Sequence, residues 1–141
     1  MAIQQISVFV ENKQGKLVET IKTIADNGIN IRAMSIAEAN DFGILRIIVS
    51  DTDAACKLLG DKYLFSKTEV VAALMNDRSG ALYPILAVLN EANINIEYMY
   101  AFTGSGPEEA YVVIRVNDTK TAEELLNANG IRTLSDENLK I

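Results

Sequence analysis

Apolar positions along the chain follow two spacings, and the order of those spacings occurs twice. Ile6–Val10 and Val70–Met75 are short runs rich in β-branched or apolar residues, which predict strands. Each run is followed by a turn with a central glycine and then by apolar residues spaced along one helix face. These are Leu17, Ile21, Ile24 and Ala25 in the first case, and Leu82, Ile85, Leu86 and Leu89 in the second. Pro84 falls in the first helical turn, where a missing N–H costs little. Asn-rich links lead to second strands at Ile29–Ala37 and Ile94–Phe102. Turns at Asn40–Gly43 and Thr103–Pro107 return third strands at Leu45–Val49 and Tyr111–Val116. Shorter helices are predicted at Asp53–Gly60 and Thr121–Asn129, the latter with Thr121 and Glu124 at capping-box spacing. Short final strands close the pattern near Leu64–Lys67 and Ile131–Leu134.

The repetition extends to individual residues. At an offset of 65, Gly15 meets Gly80, Leu17 meets Leu82, Ile29-Asn30-Ile31 meets Ile94-Asn95-Ile96 and Met34 meets Met99. At an offset of 67, Val49-Ser50-Asp51-Thr52 meets Val116-Asn117-Asp118-Thr119, and Leu58-Leu59 meets Leu125-Leu126. The chain therefore reads as two copies of one unit, 1–67 and 68–141. The order β-α-β-β-α-β is the ferredoxin-like arrangement of an α+β fold, with two helices over one face of a sheet and the other face open. A unit of this size has a thin core, so the tandem repeats are expected to dock on each other. No Gly-, Pro- or Ser-rich linker separates them.

Composition narrows the chemistry. The 141 residues are 49% hydrophobic and 23% charged, as in globular chains. There is no histidine, which removes Ser-His-Asp and Cys-His catalysis and histidine-ligated metals. One cysteine, Cys56, allows no internal disulfide and is expected as a core thiol. No metal or cofactor is implied. The net charge of −6 resides wholly in residues 68–141, with 5 Lys+Arg against 11 Asp+Glu, whereas residues 1–67 hold 8 of each. An acidic half disfavours nucleic acid as a partner. The third strands also lack the basic-aromatic run on which RNA-binding versions of the fold stack bases. No apolar stretch approaches a membrane span, and the start lacks the basic and apolar regions of a signal peptide. A cytoplasmic protein is expected.

The turns after the first strands carry the most information. They read Asn12-Lys13-Gln14-Gly15-Lys16-Leu17 and Asp77-Arg78-Ser79-Gly80-Ala81-Leu82. Glycine there permits a tight bend and close approach of a ligand to the main chain. Unpaired amides at the following helix start favour an anion such as a carboxylate. Asn12 and Asp77 could accept from a ligand ammonium, or could cap the helix while the glycine merely turns the chain. Carboxylate at the amides and ammonium at Asn12 or Asp77 together describe a free amino acid.

Asn12-x-x-Gly15-x-Leu17 with Gly28-Ile-Asn-Ile31, and Asp77-x-x-Gly80-x-Leu82 with Asn93-Ile-Asn-Ile96, are similar to the pattern of the ACT domain family, as a tandem pair spanning nearly the whole chain. The resemblance implies a regulatory module that binds an amino acid at an interface between paired units. The glycine loop of one unit and the second strand of its partner would hold it, including Asn30 and Ile31, or Asn95 and Ile96. The family often has Asp and Pro in this loop. Here the first copy has Asn12 and Gln14 and the second has Asp77 and Ser79, so the two sites are expected to differ.

Tyr98 and Tyr100 align with Ala33 and Ser35 and share strand parity with Ile31 and Ile96 if no bulge intervenes. Their rings would fill a helix-facing core or, for Tyr98, wall a ligand pocket. Met34 and Met99 are read as core or interface filler, Gly104–Pro107 as a hairpin turn, and Glu108-Glu109 and Glu123-Glu124 as solvated charge. The resulting expectation is a non-catalytic amino-acid sensor, with a homodimer and a regulated enzyme or other protein as further partners. The alternative is a protein–protein interaction or dimerisation module without a small ligand. A small enzyme is disfavoured by the lack of a clustered nucleophile and base.

Overall fold

A computed structural model describes residues 3–39, 41–103 and 108–135. The chain divides into two compact units, one built on Gln4–Thr68 and the other on the chain from Glu69 together with Ile3. The first contains β1 (Ile3–Glu11), α1 (Lys16–Ala25), β2 (Ile31–Ala39), β3 (Phe42–Val49) and α2 (Thr52–Leu59). Next comes β4 (Phe65–Asn76), most of which belongs to the second unit, followed by α3 (Leu82–Glu91), β5 (Ile96–Thr103), β6 (Glu109–Val116) and α4 (Thr119–Ala128). The strand order is β2-β3-β1 in the first unit and β5-β6-β4 in the second, every pair antiparallel. This is the α+β, βαββαβ-like repeat read from the sequence. The turn assigned to Gly104–Pro107 lies outside the described residues, as does Asn40.

Each unit has its own helix-covered core. In the first, Ile6, Val8 and Val10 of β1 join Leu45, Ile47 and Val49 of β3 beneath Ile24, Ala55 and Leu59. In the second, Val71 and Ala73 join Val112, Ile114 and Val116 beneath Ile85, Leu89, Ala122 and Leu126. The alternation along β1 and β3 places every second residue in this layer, as a half-buried antiparallel strand requires. Several side chains on the other face are inaccessible as well. Ile3, Gln5, Ile48, Val70, Ala72 and Val113 are all essentially inaccessible. The near-continuous apolar run of Val70–Met75 fits burial on both faces better than on one. Among these side chains Gln5 is polar, and its Nε2 donates to Ser7 Oγ at 3.2 Å.

The short closing strands also differ from expectation. Phe65 to Lys67 are the first residues of β4, while the N–H of Phe9 donates to the carbonyl of Leu64 at 2.9 Å. Among the described residues the segment Ile131–Leu134 forms one bridge, between Ala73 and Thr133, flanked by Leu74 N–H to Arg132 O (2.8 Å) and Leu134 N–H to Ala72 O (2.9 Å).

A β-bulge lies at the start of β2 and another at the start of β5. Ile31 faces Val49 but Ala33 faces Ile48, and Ile96 faces Val116 but Tyr98 faces Arg115. Arg32 and Glu97 are the extra residues, and each inverts the parity of the strand beyond it. Ile31 and Ile96 therefore pack on the helix-covered cores, whereas Ala33, Ser35, Tyr98 and Tyr100 point to the opposite face. The expected common face is thus corrected, and the tyrosines do not fill the helix-facing core. On that opposite face Phe102 stacks on Tyr111 with ring centroids 5.1 Å apart. Met34 and Met99 fall on the helix-bearing face but are exposed, so they are not core filler.

The four helices start in two ways. At α2 and α4 an aspartate caps: Asp51 accepts from the Ala54 N–H at 3.1 Å and Asp118 from the Thr121 N–H at 3.0 Å. Asp118, not Thr121, is therefore the cap of α4, and the Thr121 hydroxyl donates to its other oxygen at 2.6 Å. These two donors hold the Asp118 carboxyl below the usual carboxylate range. A lowered folded-state value means that the folded chain binds fewer protons. The stabilisation is therefore complete above the unfolded value and is lost as pH falls through the folded one. Asp118→Asn, which can still cap, should flatten the acid limb of a Tm–pH curve below about pH 4 without abolishing folding.

Candidate functional site

α1 and α3 start differently from the other two helices. Neither has a side-chain cap, so Asn12 and Asp77 do not serve as helix caps. Gly15 and Gly80 instead adopt φ of +87° and +82°, a region that favours glycine, and a Cβ at either would meet nothing within 4 Å. The requirement for glycine is thus conformational, and the space beside each loop is open. The backbone bonding is duplicated as well. Asn12 N–H donates to Asp41 O (3.0 Å) and Asp77 N–H to Glu108 O (2.7 Å). Lys13 N–H donates to Glu11 O, and Arg78 N–H to Asn76 O, both at 2.8 Å. The "Gly-or-Asn" before Ile-Asn-Ile has the same kind of cause, since Gly28 and Asn93 both have positive φ, 73° and 59°.

Two clefts occupy equivalent places beside the loops. In the first unit one of about 520 Å³ is bounded by Phe9, Val10, Glu11, the α1 start at Lys16 and Glu19, and residues 62–64. In the second, one of about 550 Å³ is bounded by Leu74, Met75, Asn76, the 78–81 loop, Pro84, Ile85 and residues 130–132. Offsets of 65 and 67 relate the two linings at most positions of the first, whereas Arg78, Ser79, Gly80 and Arg132 of the second have no counterpart in the first. A third cleft, of about 430 Å³, lies on the other side of the first loop, between Asn12, Lys13 and Leu17 and the ends of β2 and β3.

The expected site residues separate into three groups. Arg78, Ser79, Gly80 and Ala81 line the second-unit cleft, Lys16 lines its first-unit counterpart, and Asn12, Lys13 and Leu17 line the third. Gln14, Gly15, Asp77 and Leu82 belong to the same loops but line none of these three clefts, and Leu82 packs on the second core. Asn30 and Ile31 lie elsewhere. Asn30 exchanges backbone hydrogen bonds with Ser50, accepting from its N–H at 2.9 Å and donating to its Oγ at 3.0 Å. Ile31 faces Val49, whereas the loop follows Glu11, which faces Phe42. Seven strand residues separate the two levels, roughly 23 Å. Asn95, Ile96 and Tyr98 sit at the corresponding far end of the second unit. Within one unit, then, loop and second-strand start do not meet.

Residues 62–64 and 130–132 line these clefts but were not among the residues expected from the sequence. They follow the second helix of each unit and return beside the first strand, and the repeat offset of 67 pairs Tyr63 and Leu64 with Gly130 and Ile131.

The charges of the two clefts differ. Lys16 and Glu19 approach to 3.9 Å, and Lys13 and Glu11 to 3.2 Å, so the first loop carries both signs in exposed pairs. Among the described residues the second cleft is lined by Arg78 and Arg132 and by no acidic residue. Cys56 lies apart, half-buried against the first core, where burial raises its thiol pKa away from the thiolate needed of a nucleophile.

The chain resembles several solved structures. It shares 39% identity with protein BT0572 from Bacteroides thetaiotaomicron at a TM-score of 0.91, covering 99% of this chain and 96% of that one. It superposes on the ligand-free regulatory subunit of aspartate kinase from Thermus thermophilus at a TM-score of 0.65 and 12% identity, covering 91% and 93% of the two chains. The regulatory subunit from Thermus flavus gives 0.63 and 10%, over 91% and 92%. These two distant likenesses concern the fold. No curated protein matches. The family described as the ACT domain pair matches residues 1–141. The chain belongs to the ACT domain family, as an ACT domain pair.

Proposed function

We propose that this ACT pair is a non-catalytic, cytoplasmic regulatory module whose glycine loops bind a free amino acid. The observation that carries the reading is the duplication of an open cleft beside a positive-φ glycine, with cleft sizes of about 550 and 520 Å³. Both volumes fall in the range of small-molecule sites. A zwitterion suits the loops because helix-start amides favour its carboxylate and neutral acceptors such as Asn76 and Ser79 can take its ammonium. Asn30–Ile31 and Asn95–Ile96 lie too far from their own loops to share a ligand with them. They would contribute only to a ligand held by another ACT unit. Regulation follows from linkage: a ligand that prefers one arrangement shifts the population towards it, and a regulated enzyme or a second copy of the chain reads the shift.

A thermal-shift panel of free amino acids tests this. A ligand at 100 times its Kd should add about 2.7 kcal/mol of apparent stability. One or two amino acids should raise Tm while the rest leave it unchanged; a flat panel refutes the reading. One observation favours the interaction-module alternative. Val18 and Tyr83, equivalent residues at the starts of α1 and α3, are 69% and 74% exposed, so both repeats present a large apolar side chain at the same place.

A further inference from the structure

We infer that the second-unit cleft selects an amino acid carrying a second carboxylate, aspartate or glutamate. The inference rests on the amino-acid reading above and adds the ligand class. Three arginines occur after residue 67: Arg78, Arg115 and Arg132. Arg115 is already engaged, with Nε 3.3 Å from Glu97 and Nη1 donating to the Glu69 carbonyl at 2.9 Å. The other two both line this cleft, one from the loop before α3 and one from the segment after α4. Among the described residues neither makes an ion pair with an acidic side chain. Among the described residues no Asp or Glu lines the cleft, although residues 68–141 hold 11 acidic residues against 5 basic ones. The more acidic half of the chain thus gives its cleft two guanidiniums and, among the described residues, no carboxylate side chain.

The equivalent first-unit cleft provides the contrast. It carries Lys16 and Lys62 but also Glu11 and Glu19, which balance them. A ligand with two carboxylates would meet repulsion there and two complementary forks in the second unit. Guanidinium matches carboxylate bidentately, so a pair of them reads two carboxylates better than one. The remaining lining, with Leu74, Met75, Pro84 and Ile85, suits a short methylene chain between the two charges. The neutral analogues asparagine and glutamine have the same shape and lack the second charge. They should bind more weakly.

Isothermal titration of the full chain with L-aspartate, L-glutamate, their amides and inorganic phosphate tests this. Aspartate or glutamate should bind at least about fivefold tighter than its amide, and affinity should fall with added salt. Arg78→Gln and Arg132→Gln should each weaken that binding by about fivefold, while the exposed Lys120→Gln leaves it unchanged. Unchanged apo Tm in the arginine variants excludes misfolding as the cause. Equal binding of the amides, indifference to both substitutions or phosphate binding as tightly as the amino acid would each overturn the inference. Tight binding of a neutral amino acid alone refutes the ligand class and leaves the amino-acid reading standing. Silence across all twenty amino acids defeats both.

Discussion

Leu45→Ala and Leu126→Ala should each reduce the free energy of unfolding by about 2–5 kcal/mol. Both side chains are fully buried, one in each helix-covered core, against neighbours contributed by strand and helix alike. Truncation loses the transfer free energy of the removed carbons and leaves a cavity that a close-packed layer fills only in part. Against a total of about 5–15 kcal/mol, either loss is large. Urea denaturation followed by circular dichroism measures it. Leu64→Ala is the control: its side chain is 70% exposed, so the change should stay within about 0.5 kcal/mol. Similar losses at Leu64 and Leu45 would mean that the cores are not where the helices cover the sheets.

Gly80→Val should cost about 1–3 kcal/mol and abolish ligand response at the second-unit cleft. The cause is not crowding, since a Cβ there meets nothing within 4 Å. The cause is φ of +82°, which a β-branched residue adopts only under strain. To relieve it the chain must rotate the loop, carrying with it Ser79 and Arg78, which line the cleft. Gly80→Asn provides the graded comparison because asparagine tolerates the left-handed region better. Asn should retain more stability and part of the ligand response. If Val and Asn variants are equally stable, the left-handed loop is not what the position requires. Gly15→Val should cost a similar amount of stability without affecting a ligand confined to the second unit.

Much of this molecule was legible from residue patterns. Runs rich in β-branched or apolar residues located the strands of the described residues, and helical spacing located α1 and α3, because each element buries a stripe that its own sequence must supply. The duplication was legible in Gly15 and Gly80, in the Ile-Asn-Ile triplets and in Asp51 and Asp118. These last are equivalent residues, and both prove to be helix caps. The misreading of Thr121 as the cap arose because Thr121 and Asp118 both suit that role in sequence; backbone geometry chose Asp118, whose side chain reaches the Thr121 N–H.

Less was legible at the site. A bulge adds one residue to a strand without changing its composition, so nothing in Ile31-Arg-Ala33 or Ile96-Glu-Tyr98 announced the inversion that turns Tyr98 and Tyr100 from the helix-covered layer. Burial of the second sheet face was hinted at only by the unbroken apolar run of β4.

The chain's own letters determined local matters: the two repeats, their elements, and the positions at which only glycine turns the backbone easily. These arise from interactions among neighbours along the chain, whose spacing is written directly in the sequence. Tertiary structure decided which distant residues meet. It placed residues 130–132 against the 78–81 loop, separated Asn30 and Ile31 from Gly15 by the length of a strand, and brought Arg78 and Arg132 to one cleft. Such meetings depend on strand register and on the direction in which each helix returns, and both are fixed only when the sheet and its core form together.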